Sequence, residues 1–172
     1  MVARLLLSTL RHVSELLNRE GILWDRNIDA MLVAFQDAGL RPKRYPPTIT
    51  VGNQRFAQFL YQPGETDFDI QVDFLFAEQP FQQEALARRV TTAFPDWETN
   101  AFVLACEDLI VFKLVAGRII DLADAAALLR ANRNTLDFSA LKSESTKVNV
   151  GAELKQVWKE AFPDETMPGE AV

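Results

Sequence analysis

Residues 106–130 run CEDLIVFKLVAGRIIDLADAAALLR, a stretch that leaves the chain few ways to fold because it is too apolar for a surface helix. With Lys113 at the zero of a helical wheel, at about 100° per residue, Ile110, Leu114, Val115, Ile119, Ile120 and Leu122 spread around nearly the whole circumference. A helical segment that is apolar almost all round is normally buried on several sides. Its polar exceptions, Lys113, Arg118, Asp121 and Asp124, therefore sit at helix ends or point into something polar. In the first reading, Gly117 and Arg118 break the stretch into two helices. Glu107 and Asp108 then lie in the first turn of one, Asp121 caps the other with Asp124 three residues on, and Lys113 pairs with a neighbouring carboxylate. In the second, Lys113 and the aspartates converge on a cleft, where a lysine neutralises phosphate oxygens and carboxylates bind a divalent metal.

The chain has 172 residues and a formal net charge of −6, enough length for one domain with a proper core. That charge gives no diffuse basic field, which weakens the case for non-specific nucleic-acid binding. The densest basic cluster is Arg41, Lys43 and Arg44, in a proline-containing connection over residues 41–47. A single cysteine, Cys106, excludes a disulfide framework and a cysteine zinc cluster, and reads as a small buried hydrophobe. His12, also alone, excludes a histidine metal site. No stretch is long enough to cross a membrane and the short N-terminal apolar run shows no cleavage site, so the expected location is cytoplasmic.

In chain order, Leu6, Leu10, Val13 and Leu17 form the stripe of an amphipathic helix over residues 1–20, ended by Gly21. A short apolar run at 22–24 reads as the start of a buried strand. Asp25 or Asn27 caps a helix through Asp37, with Ile28, Met31, Leu32 and Phe35 inward and Gly39 as its stop. The period then changes to two: residues 48–51, 55–62 and 67–77 read as strands, joined by turns at Gly52-Asn53 and Pro63-Gly64. In the last strand Phe68, Ile70, Val72 and Phe74 share one face, while Asp67, Asp69, Gln71 and Asp73 share the other. Three aspartates along one side repel unless solvated, paired or bridged by a cation. Asp67 and Asp69 fit an exposed strand start; Asp73, deeper in the strand, is the candidate functional carboxylate. Further on, residues 80–90 read as a helix and 101–105 as a strand. A short helix follows over 134–142, capped by Asp137 or Thr135, and another over 150–162 with Leu154, Val157, Trp158 and Ala161 inward. The composition of PDETMPGEAV, residues 163–172, predicts a flexible tail.

The order Glu107-Asp108-Leu109-Ile110, Lys113-Leu114, Ala116, Arg118, Asp121 and Asp124 resembles the C-terminal signature of small bacterial nucleotidyltransferase-fold proteins of the abortive-infection toxin (AbiEii) type. FDIQVDFLFA, residues 68–77, is similar to the strand that carries that family's third carboxylate, which falls on Asp73. The resemblance covers residues 67–141 and extends weakly back to Gly21. It implies an α+β, nucleotidyltransferase-like fold: a small mixed or antiparallel sheet packed by helices, with a C-terminal helical portion. The single domain would run over 1–162, with an α/β part at 1–105 and a helical part at 106–162. It also implies catalytic roles for Asp73 and Lys113, metal binding at Asp73, and a site lined by Arg118, Asp121 and Asp124. An active member would use Mg2+ and a nucleoside triphosphate.

The chain departs from the family's pattern at its front. Active members hold the triphosphate on a Gly-Gly or Gly-Ser turn at a helix N-terminus, and this sequence has neither dipeptide. They also carry an Asp-x-Asp or Asp-x-Glu pair on the strand before the third carboxylate, so that two magnesium ions are held. Asp67-x-Asp69 has that spacing but shares a strand with Asp73. The resulting expectation is a catalytically degenerate, toxin- or antitoxin-related binding or regulatory protein, working as a homodimer or with a cognate partner protein. Two alternatives stay open. One is an active metal-dependent nucleotidyltransferase using Asp25 or Asp29; the other is a structural subunit that docks a partner through a sheet edge.

Overall fold

The computed structural model of the chain describes residues 28–51, 54–64, 66–94 and 99–169. The expected helix over 1–20, the 22–24 run, the caps at Asp25 or Asn27 and the Gly52-Asn53 turn lie outside these residues. The architecture is α+β, with small antiparallel sheets and helices. Where the sequence suggests one domain, the chain divides into two compact units, Met1–Pro80 with Phe94–Ala101, and Phe81–Ala93 with Phe102–Val172. The boundary falls ahead of the long apolar stretch because each unit closes its own core.

In the first unit, α1 (Ile28–Asp37) stops where Gly39 takes φ 81°, a left-handed conformation that glycine adopts without the strain a Cβ would bring. Four antiparallel strands follow: β1 (Leu40–Pro42), β2 (Thr48–Val51), β3 (Gln54–Tyr61) and β4 (Ile70–Leu75). β1 and β2 lie along one edge of β3, with Leu40 opposite Tyr61 and Thr48 opposite Ala57; β4 takes the other edge, with Asp73 opposite Gln58. Side chains alternate across a strand, so this register puts Ala57, Phe59, Val72 and Phe74 on one face, packed with Leu32 and Phe35 of α1. The rings of Phe35 and Phe59 meet edge to face at 5.0 Å, and those of Phe59 and Phe74 at 5.7 Å, the geometry that aromatic quadrupoles favour. Phe68, expected on this apolar face, precedes β4 and is exposed.

β1 is a strand inside what reads as a proline-containing connection. Residues 43–47 loop out between β1 and β2, and Gln58 fastens both ends of the loop. Its carbonyl accepts from the Lys43 amide at 2.9 Å, and its own amide donates to the Pro47 carbonyl at 3.1 Å.

Farther along come α2 (Pro80–Ala87), a two-stranded ribbon of β5 (Val90–Phe94) and β6 (Thr99–Val103), and four helices: α3 (Cys106–Ala116), α4 (Ile119–Asn132), α5 (Phe138–Lys147) and α6 (Gly151–Ala161). Ile110, Val111 and Leu114 of α3 pack with Ala125, Ala126 and Leu129 of α4, with Leu141 of α5, and with the expected stripe Leu154, Val157, Trp158 and Ala161 of α6. Each large apolar side chain buried in this way stabilises the unit by about 1.5–3 kcal/mol before chain entropy is counted. α5 starts later than the expected residue 134, because the Thr135 and Leu136 amides fold back on the Asn132 carbonyl. Asp137 is its cap, accepting from the Ala140 amide at 3.0 Å.

The segment that composition assigns to a flexible tail is docked as far as it is described. Met167 is 7 % exposed within the helical core, Trp158 Nε1 donates to the Glu165 carbonyl at 3.2 Å, and Lys142 Nζ to the Gly169 carbonyl at 3.1 Å. Arg133 pairs with Glu165 through both guanidinium ends. Composition averages over the segment, and one methionine with placed partners is enough to hold it.

Candidate functional site

The long apolar stretch is two helices, and Gly117 is what separates them. It ends α3 in the left-handed region at φ 65°, its amide bonded to the Lys113 carbonyl at 3.1 Å. Arg118, in extended conformation, is the N-cap of α4 and makes no side-chain cap bond. Asp121 therefore sits in the first turn and is not the cap that its spacing suggested. The helical wheel also fails across this break. Ile119 is 90 % and Ile120 66 % exposed, because the turn at Gly117 resets the phase of the second helix.

Around the break the four charged residues form one cluster. The Asp121 carboxylate, only 2 % exposed, takes Arg118 Nε at 2.5 Å and Lys113 Nζ at 3.2 Å; Lys113 also reaches Asp124 Oδ2 at 2.7 Å. Two cations against two carboxylates leave the cluster neutral, the condition under which a carboxylate can be buried here. Hydrogen bonding by Arg118 and then by Lys113, working against burial, holds Asp121 below the usual carboxylate range. The Asp124 hydrogen bond, joined by Asp121, raises Lys113 above the ordinary lysine value. Lys113 is partly exposed, and Arg118 is exposed over 74 % of its side chain. Arg118 is thus the more exposed of the two cations, although bonded to Asp121 through Nε and Nη2, and Lys113 is held by both carboxylates.

Glu107 and Asp108 do lie in the first turn of α3, but each has a specific partner. Glu107 Oε1 accepts from the Asp137 amide at 2.7 Å. Asp108, buried, is gripped by Arg88, with Nη2 at 2.6 Å from Oδ1 and Nε at 3.2 Å from Oδ2. Arg88 Nη2 also reaches Glu144 at 3.1 Å, and Lys147 closes on Glu144 at 2.7 Å. Arg88 was not singled out from the sequence. The one available signal was a basic pair, Arg88-Arg89, just past a helix end.

Asp73 lies in the first unit, on the exposed face of β4. Its carboxylate accepts from Gln71 Nε2 at 2.8 and 3.0 Å and from Gln58 Nε2 at 3.1 Å. Asp69 pairs with Arg41, and Lys43 bonds Gln71, so the basic residues of the 41–47 connection reach across the sheet to the acidic row. Lys113, in the second unit, has Asp121 and Asp124 as its carboxylate partners. Asp29 is exposed in the first turn of α1, and Asp25 lies outside the described residues. Among the described residues, no three His, Cys, Asp or Glu side chains gather as a metal-binding group. No described helix is long and apolar enough to cross a membrane. Comparison with protein-family models, with curated proteins and with solved structures finds no match to this chain.

Proposed function

We propose that the chain is a nucleotidyltransferase-like protein of the AbiEii type that has lost transfer chemistry and acts in the bacterial cytoplasm as a toxin- or antitoxin-related binding or regulatory protein. The observation that carries this reading is the surrounding of Asp73. Its oxygens accept from two neutral amides, Gln58 and Gln71, where a two-metal transferase needs neighbouring carboxylates to neutralise its ions. The order of charged residues from Glu107 to Asp124 supports the family likeness, and the Arg118 and Lys113 cations are what a nucleotide's phosphates would meet.

The test is incubation of the purified chain with the four nucleoside triphosphates, Mg2+ and total host RNA or protein. The expected result is no transfer of label, with bound nucleotide weakened in Arg118→Ala. Labelled transfer that disappears in Asp73→Asn would overturn the non-catalytic reading in favour of an active enzyme.

A further inference from the structure

The sheet of the first unit has two edges, and they differ in how they meet solvent. Along one edge the strands are short, three residues in β1 and four in β2. They are interrupted by the looped residues 43–47, and Pro42, Pro46 and Pro47 offer no amide hydrogen. Short strands, bulges and prolines are how an edge is protected from pairing with another chain. The other edge is β4, six residues without proline or glycine. Among the described residues β4 pairs with β3 alone, so every second amide and carbonyl along Ile70–Leu75 points away from β3 and has no ladder partner among those residues.

What fits this edge follows from its two faces. On one face Ile70, Val72 and Phe74 are partly buried, as expected of apolar side chains on the outer strand of the sheet that the described residues form. On the other face stand Asp69, Gln71 and Asp73. Arg41 and Lys43 answer Asp69 and Gln71 from the far side of β3, whereas among the described residues Asp73 is met by the neutral amides of Gln58 and Gln71. A second copy fits poorly: antiparallel pairing of two β4 edges with like faces together sets the Asp69 and Asp73 rows against each other, and like charges opposite one another are unfavourable.

We infer that the outer edge of β4 docks an extended segment of a partner protein in which apolar residues alternate with Lys or Arg. Main-chain bonds to the edge supply affinity, and the alternate side chains supply specificity. The apolar residues continue the row of Ile70, Val72 and Phe74, and a basic residue falls opposite Asp73. This inference stands apart from the nucleotidyltransferase reading and survives its failure.

The test uses the full chain and a labelled synthetic peptide alternating Val with Lys over the length of β4, read by fluorescence anisotropy and amide hydrogen exchange. Saturable binding is expected, with new protection confined to the β4 amides. Two controls sharpen it: a Val–Glu peptide, and the Val–Lys peptide N-methylated on alternate amides. Each should bind at least about tenfold more weakly, the equivalent of one lost interaction of roughly 1.4 kcal/mol. Asp73→Lys, shown to be folded by circular dichroism, should prefer the Val–Glu peptide. Absent binding, equal binding of the N-methylated peptide, or protection on β1 and β2 would overturn the inference.

Discussion

Asp73 and Asp121 are alike in type, the first expected from sequence as the functional carboxylate and the second as a cap or a residue lining the site, yet their surroundings set opposite energetic roles. Asp121 is buried between two cations at the start of α4, where its charge is tolerated only because Arg118 and Lys113 answer it. Asp73 stands on an open strand face, held by the amides of Gln58 and Gln71. A buried, paired carboxylate is a structural commitment that cannot be withdrawn cheaply. An exposed one bonded to neutral donors costs little to lose, and stays free to meet something new. The contrast separates a carboxylate that holds the second unit together from one that is available to a basic ligand.

The sharpest way to break that division is to remove the buried member. Asp121→Ala leaves Arg118 and Lys113 without their shared partner and should cost about 3 kcal/mol, the low end for a broken buried pair because both cations keep some water. For a protein of this size that lowers the melting temperature by roughly 6–12 °C, measurable by calorimetry. A shift under about 2 °C would show that the cluster contributes as little as a surface pair. Acid does the same by protonation. Asp121 has a folded value below the ordinary one, so its contribution is complete above roughly pH 4 and is lost as pH falls through the lowered value. Lys113 has a raised value, so its contribution is complete below roughly pH 10.4 and is lost as pH rises beyond it. Unfolding followed against pH should show Asp121→Ala narrowing its deficit relative to wild type as the acid limb is entered.

Two further changes probe intermediate magnitudes. Lys113→Ala keeps Arg118 on Asp121 and removes the partner of Asp124, whose side chain is half exposed; about 1.5 kcal/mol is expected, between a surface and a buried pair. Denaturant midpoints equal to wild type would place Lys113 with surface ions. Ser145 is the reverse of Asp121, a buried polar group on α5 whose Oγ has no hydrogen-bond partner among the described residues. Removing an unsatisfied hydroxyl recovers its desolvation cost, and alanine is the better helix former. Ser145→Ala should therefore stabilise by about 1 kcal/mol; destabilisation would mean that the hydroxyl makes a bond the static geometry does not show.

How far this was legible depends on the range of the interaction. β2, β3 and the inner stripe of α6 fall where period-two and period-3.6 patterns place them, since those patterns record which face is buried, and β4 occupies only the middle of the 67–77 span that alternation suggests. The pairing of Lys113 with Asp121 and Asp124 was also readable, because one tight turn separates the partners. β1 was not: Pro42 and the residues after it carry loop chemistry, and the strand exists because β3 offers it an edge. The grip of Arg88 on Asp108 spans 20 residues, a tertiary meeting without local signature. The exposure of Ile119 and Ile120 was misread because a wheel drawn through Gly117 assumes one continuous helix.

The smallest expected effect tests the other side of the comparison. In Asp73→Asn the side chain keeps its shape and one oxygen acceptor, so the Gln58 or Gln71 amide retains a partner. The site is exposed, and away from cores and buried networks such substitutions stay within about 0.5 kcal/mol. Thermal stability should therefore match wild type, while loss of the charge opposite an incoming basic residue weakens a Val–Lys strand on β4. Stability unchanged with weakened peptide binding would assign Asp73 to recognition. A melting temperature lowered as far as in Asp121→Ala would erase the distinction between the two aspartates and make Asp73 a structural residue of the sheet.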